Sequence, residues 1–203
     1  MPQENYVEEL LKHLLPLQEE ILLDEQLRDD VCPSVGKELG RLLYILILAT
    51  RPKQVLEIGT SMGYAAIWMG LALKQVGGKL ITIEYHERLV REARNNLERA
   101  GLADVVSVRQ GMAEDLLDEI EGPFGLILQD GGTRTYKETL HKLADKLSPG
   151  GLYDAEDVLY ADSAKLERPK KNMSDFNRGL FEREDLFSTI LSLGDGLSLS
   201  VKK

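Results

Sequence analysis

Cysteine occurs once in the 203 residues, at Cys32, and tryptophan once, at Trp68. A lone cysteine excludes an intrachain disulfide and fits a reducing compartment. Long apolar runs are missing too: the longest, Leu42 to Ala49 (LLYILILA), is far short of the roughly 20 residues that cross a bilayer. Positive charge is in deficit, with 25 Lys and Arg against 34 Asp and Glu and a formal charge of −9. Surfaces that track phosphates work by clustered Lys and Arg, so nucleic acid is a disfavoured partner. The opening MPQENYVEEL carries acids where a secretory signal carries bases, so the expected location is the cytoplasm, with no membrane contact. Two phosphate-binding strings fail as well. GxxxxGK(S/T) does not occur, and the nearest approach to GxGxxG has Ser61 at its second glycine and Tyr64 at its third.

What is present suits an ordinary globular domain. Apolar residues make up 43% and charged residues 29%, and the length allows a full core without disulfides or metals. The expected organisation is a single domain over 1–203, with helical segments in the first fifty residues (YVEELLKHLL, then Ser34 to Ala49). Beyond them, short aliphatic runs (QVLEI, KLITIE, DVVSVR, GLILQD, GLYDAE) alternate with amphipathic stretches such as HERLVREARNNLERA. That alternation predicts an α/β fold, doubly wound, with a mostly parallel sheet covered on both faces. Gly101 reads as one helix stop, and Ser148-Pro149-Gly150-Gly151 as the end of a helix begun near Tyr136. FSTILSLGDGLSLSVKK reads as an antiparallel hairpin turning at Gly194-Asp195-Gly196.

The segment VLEIGTSMGY, Val55 to Tyr64, carries a strand into a glycine loop. In such sheets ligands bind at the carboxyl ends of the strands, where strand order reverses. Gly59 and Gly63 let the backbone turn and approach a ligand, and the helix starting near Gly63 aims free N–H groups at the same place. Glu57 precedes the loop, and Glu84 ends the next strand (ITIEY), where a carboxylate can take both hydroxyls of a ribose. A ligand with a ribose, a positive charge and no phosphate suits these acids. Taken singly, the glycines also fit a plain turn and Glu84 a solvated strand end.

The pattern ExGxxxG at 57 to 63, an acid at Glu84 and Gly111-Met112-Ala113 after the third strand resemble the class I methyltransferases that bind S-adenosylmethionine. With VLEIGTSMGYAAIWMGLAL, TIEYHERLVREARNNLERAGL, the Asp130 loop, LSPGGLYDAEDVLY, DFNRGLF and LSLGDGLSLS, the chain is similar to the catechol and caffeoyl-CoA O-methyltransferase family. The resemblance implies a seven-stranded Rossmann-like fold, a small hydroxylated aromatic acceptor and a homodimer. It places Glu57, Gly59, Ser61, Gly63 and Tyr64 at the methionine end and Glu84 with Tyr85 at the ribose. Met112 and Ala113, after Gly111, border the adenine, Asp130 lies between cofactor and acceptor, and Val35 and Gly36 fall where the N-terminal segment closes over the cleft. Ala65 stands where relatives often have a serine that contacts the methionine carboxylate.

Two departures bear on the chemistry that the resemblance implies. The family's divalent ion is held by Asp, then Asp-Asn; the matching residues are Asp130, Glu156 and Asp157. A longer acid and an added charge suit a larger, less demanding ion such as Ca²⁺ or Mn²⁺, or no ion. The family's general-base lysine is replaced by Thr133, which leaves Arg134, Lys137, a metal-bound state or an already acidic acceptor to substitute, or a cofactor-binding protein that no longer transfers methyl. A modifier of hydroxylated tRNA bases is the other alternative, and a dehydrogenase comes last. His13, His86 and His141 read as surface residues, Trp68 and Tyr153 as packing, Tyr136 and Tyr160 as candidates to border a substrate ring, and Lys165 to Asn172 as a lid or solvated loop.

Overall fold

The structure is a computed structural model that describes residues 16–28, 31 and 35–203. The helix expected over YVEELLKHLL, together with His13, Cys32 and Ser34, lies outside the described residues. Two helices come first, α1 (Pro16–Gln26) and α2 (Gly36–Thr50). Strands and helices then alternate as β1 (Gln54–Ile58), α3 (Tyr64–Val76), β2 (Lys79–Glu84), α4 (Glu87–Arg99), β3 (Val106–Gln110), α5 (Ala113–Leu116), β4 (Phe124–Gln129), α6 (Thr133–Asp145) and β5 (Leu147–Ala155). The chain continues through α7 (Tyr160–Ser163), α8 (Glu167–Phe181), β6 (Leu186–Leu191) and β7 (Leu197–Lys202).

The seven strands form one sheet in the order β3-β2-β1-β4-β5-β7-β6. Strands β1 to β5 pair in parallel, and β7 pairs antiparallel with both β5 and β6. The apolar runs of β1 and β4 are buried on both faces, as a strand covered twice must be. One apolar layer joins Ile21, Leu39, Leu43, Trp68 and Leu97 of α1 to α4 to the sheet; the other joins Tyr136, Leu140, Met173 and Phe176 of α6 and α8. Trp68 meets Tyr44 and Tyr64 edge to face. Among the described residues no helix is long and apolar enough to cross a membrane.

Gly101, with φ of 66°, stops α4 as expected. The Ser148-Gly151 segment differs from expectation, because it lies within β5 and closes no helix. Its Ser148 hydroxyl donates to the Phe124 carbonyl at 3.1 Å, and the β4–β5 register shifts between Phe124 and Leu126. The two glycines therefore accommodate an irregularity in a strand pair. Helix α6 also starts earlier, at Thr133.

Asp154 breaks the apolar pattern of β5. It is fully buried between Leu128 of β4 and Leu199 of β7, with neither carboxyl oxygen hydrogen-bonded, and burial pushes its carboxyl up to about 8. The folded chain thus holds this proton more tightly than the unfolded chain does. The resulting stability is complete below about pH 4 and is lost as pH rises toward 8, at up to roughly 1.4 kcal/mol per pH unit. Asp154→Asn is expected to change Tm little at pH 4 and to raise it by roughly 5 °C or more at pH 8. Scanning calorimetry at the two pH values checks this.

Candidate active site

The chain's order reverses between β1 and β4, so the carboxyl ends of β2, β1, β4 and β5 frame one crevice. The loop after β1 is pinned by its own backbone: the Gly59 N–H donates to the Ile83 carbonyl at 3.0 Å and the Gly63 N–H to the Thr60 carbonyl at 2.8 Å. Gly59 has φ of 94°, and a Cβ there would stand 2.1 Å from the Asp130 carbonyl oxygen. The β1 and β4 loops can touch only because that side chain is absent. Gly63, with φ of 91°, caps α3, whose first residue, Tyr64, is buried.

Glu84 turns toward this loop. One carboxylate oxygen accepts the Ser61 N–H at 3.0 Å and the other the His86 N–H at 2.9 Å. Each oxygen keeps a further lone pair for a ligand hydroxyl. Ser61 adopts a left-handed φ of 46°, and its hydroxyl is buried without a hydrogen bond. Glu57 lies beneath the loop, fully buried, with neither oxygen hydrogen-bonded. Burial pushes it up to about 8, the neighbouring Thr82 hydroxyl opposing the rise and the Glu84 charge adding to it. A carboxyl group kept neutral by burial here would give up its proton when a cation is placed beside it. Gly111 donates its N–H to the Glu84 carbonyl at 3.0 Å, followed by half-exposed Met112 and buried Ala113 at the start of α5. Tyr85 is exposed and packs on the His86 ring. Val35 is buried in the layer of α1 to α4, and Gly36 opens α2 with φ of 70°.

Four acids line the β4–β5 side. The Asp130 N–H donates to the Ile58 carbonyl at 2.8 Å, and the Glu156 N–H to the Gln129 carbonyl at 3.0 Å. The Asp130 and Glu156 carboxyl groups lie close enough to act directly on each other. Burial, then the Glu156 charge, holds Asp130 well above the ordinary carboxylate range, and burial raises Glu156 to about 7. Burial, then Asp195 in the β6–β7 turn, raises Asp157 to about 6. Among the described residues no group of three or more His, Cys, Asp or Glu stands ready to hold a metal ion. The longer side chain of Glu156 and the added charge of Asp157 fit a small octahedral cation poorly.

Thr133 is the first residue of α6. Arg134 pairs with Glu138 at 2.9 Å and Lys137 with Asp175 at 2.7 Å, so both basic substitutes for the missing lysine are engaged elsewhere. Tyr136 and Tyr153 are fully buried and do not border a substrate; Tyr160 is part-buried beside Asp195. The basic segment beginning at Lys165 mostly forms the start of α8. His86 and His141 are exposed.

Arg28 gave no signal in the sequence. Its guanidinium reaches Glu92 at 2.8 Å, Asp24 at 3.1 Å and the Met62 sulfur at 3.6 Å, beside a cavity of about 300 Å³ between α1 and α4. Asn96 holds the Met62 carbonyl from the other side at 3.0 Å. The N-terminal helix is thereby fastened to the glycine loop. Arg28→Met is expected to lower Tm by a few degrees and to weaken S-adenosylhomocysteine binding by roughly 3-fold, from loss of a part-buried ion pair worth about 1 kcal/mol. Calorimetric titration reads both the affinity and its salt dependence.

A doubly wound sheet whose strand tips carry a glycine loop and a ribose-type acid is the architecture of a nucleoside-binding α/β protein. Residues 14–203 match the family described as O-methyltransferase. The chain is 32% identical over 183 residues, covering 84% of it and 82% of the relative, to a catechol O-methyltransferase of Niastella koreensis. It is 26% identical over 181 residues, covering 82% and 73%, to caffeoyl-CoA O-methyltransferase 1 of Eucalyptus globulus. An O-methyltransferase of Bacillus cereus, solved in complex with SAH, superposes with a TM-score of 0.89 at 25% identity, covering 100% of this chain and 98% of that one. The chain belongs to the O-methyltransferase family, and it is an enzyme of that class.

Proposed function

We propose that this chain transfers the methyl group of S-adenosylmethionine to a hydroxyl of a small aromatic acceptor. The observation that carries the proposal is Glu84, aimed at the glycine loop from the tip of β2 with a lone pair free on each oxygen. Glu84 takes the ribose, Met112 and Ala113 flank the base with Tyr85, and the Gly59 to Gly63 turn admits the methionine end. Glu57 and Asp130 ionise as the ammonium and sulfonium arrive and then offset their charge. Val35 and Gly36 bring the start of α2 over the cofactor within one domain.

Transfer is an in-line displacement, and the alignment of acceptor oxygen, methyl carbon and sulfur supplies most of the rate. Among the described residues at the acceptor edge the proton acceptors are carboxylates, Asp130, Glu156 and Asp157, and these take over the role vacated at Thr133. The paired acids work without a resident divalent ion, so a chelator should leave turnover unchanged. An edge built from Asp130, Glu156 and Asp157 disfavours acceptors that bear carboxylate or phosphate, so neutral or amine-bearing phenols are favoured.

Calorimetric titration with S-adenosylhomocysteine, followed by transfer of a labelled methyl group to catechol, dopamine and protocatechuate with and without EDTA, tests the proposal. Binding with transfer to the first two acceptors is the expected result. Binding without any transfer would instead establish the second reading, a methyltransferase-like binding protein, which Thr133 favours. A tRNA acceptor is opposed by the charge of −9. The expected assembly is a cytoplasmic homodimer, and Phe187, 71% exposed on edge strand β6, is apolar surface that it would cover.

A further inference from the structure

We propose that Gln129 is a positioning residue for the Asp130–Glu156 carboxyl pair, its buried amide tying β4 to β5 and α6 directly behind both acids. The proposal rests on the reading of this edge as the acceptor site. Gln129 is the last residue of β4, fully buried, and its side chain faces a layer otherwise built from Ile58, Ile127, Tyr136 and Phe176. A primary amide in such surroundings is unfavourable unless its hydrogen bonds are made.

Here they are made. The amide nitrogen donates to the Thr139 hydroxyl at 2.8 Å, and the amide oxygen accepts the Tyr153 hydroxyl. Thr139 spends its own proton on the Thr135 carbonyl at 2.7 Å, so its oxygen must accept from Gln129, which fixes the orientation of the amide. The Gln129 carbonyl accepts both the Tyr136 hydroxyl and the Glu156 N–H, each at 3.0 Å. Phe176 of α8 meets Tyr136 and Tyr153 edge to face, with centroids 5.1 and 6.4 Å away. One residue thus links the chain just before Asp130 to the backbone of Glu156, to β5 and to helix α6.

Packing alone does not call for this arrangement, since apolar side chains of similar volume would fill the layer with no polar group to satisfy. What directional bonds add is a fixed angle. Asp130 follows Gln129 in the chain, and Glu156 hangs from its carbonyl, so a rotation of the β4 end would part the two carboxyl groups. A shift of about 1 Å is enough to cost a positioned reaction up to roughly 100-fold.

The test compares wild type, Gln129→Leu, Tyr153→Phe and the double variant Q129L/Y153F in the full chain. Gln129→Leu strands the Tyr153 hydroxyl and should lower Tm; adding Tyr153→Phe removes the orphan and should restore it. Positioning requires that the double variant, although restored in Tm, stay at least about 10-fold below wild type in kcat, with its S-adenosylhomocysteine affinity within about 2-fold. Recovery of kcat together with Tm would overturn the proposal. Should wild type bind S-adenosylhomocysteine but transfer no methyl, the acceptor-site reading has failed on its own account. Crystal structures of wild type and Q129L/Y153F then decide: carboxyl groups parted in the variant support positioning, and an unchanged contact overturns it.

Discussion

Gly59→Ala is expected to be the most damaging small substitution in the site, lowering Tm by roughly 10 °C and S-adenosylhomocysteine affinity by at least about 100-fold. Two independent causes add. The backbone at Gly59 has φ of 94°, and the new Cβ would stand 2.1 Å from the Asp130 carbonyl oxygen and 3.0 Å from the Gly131 nitrogen. Left-handed strain in a residue with a side chain costs on the order of 1–3 kcal/mol. The collision is with backbone, so no rotamer relieves it, and the β1 and β4 loops must separate. Together these reach about 3 kcal/mol or more, which for a chain of this size is close to the stated change in Tm. Gly132→Ala is the matched control. Its φ is −61° and nothing lies within 4 Å of a Cβ there, so Tm and affinity should both be retained. Circular dichroism melts and calorimetric titration of the two variants separate the outcomes; a Gly59→Ala protein that bound normally would place the cofactor elsewhere.

Glu84→Ala is expected to weaken S-adenosylhomocysteine binding by about 100-fold. Removing the carboxylate deletes the bonds from the Ser61 and His86 N–H groups as well as those to the ribose, so the loop loses its shape along with the ligand's anchor. Hydrogen bonds to a charged group are worth about 1.5–3 kcal/mol each. Glu84→Gln distinguishes the two losses, because its amide oxygen can still accept one backbone N–H. It should keep Tm near wild type and lose about 10-fold in affinity. A variant with lowered Tm and unchanged affinity would assign Glu84 to the loop alone.

The architecture was legible because each parallel strand had to be apolar on both faces, and the runs QVLEI, KLITIE and GLILQD satisfy that rule without ambiguity. The C-terminal hairpin was legible from Gly194-Asp195-Gly196. Ser148-Pro149-Gly150-Gly151 misled because proline and glycine mark helix ends and strand irregularities with the same residues. In the site, the loop and its acids stood out as a linear pattern, and the substitutions at Thr133, Glu156 and Asp157 were visible as departures from a family. Arg28, Gln129 and Asp154 were not. Each takes its meaning from a neighbour brought close by folding: Glu92 and Met62 for the first, Tyr153 and Thr139 for the second, Leu128 and Leu199 for the third. The approach of Asp130 to Glu156 is of the same kind, since 25 residues of chain lie between them.

Strand β7 follows β6 along the chain, yet it sits between β5 and β6. During translation the Leu186–Leu191 segment therefore emerges from the ribosome before the strand that must carry it exists. The edge of β5, next to Glu156, is covered only by the last strand of the sheet to be made, and a chain lacking β7 would leave that edge unpaired.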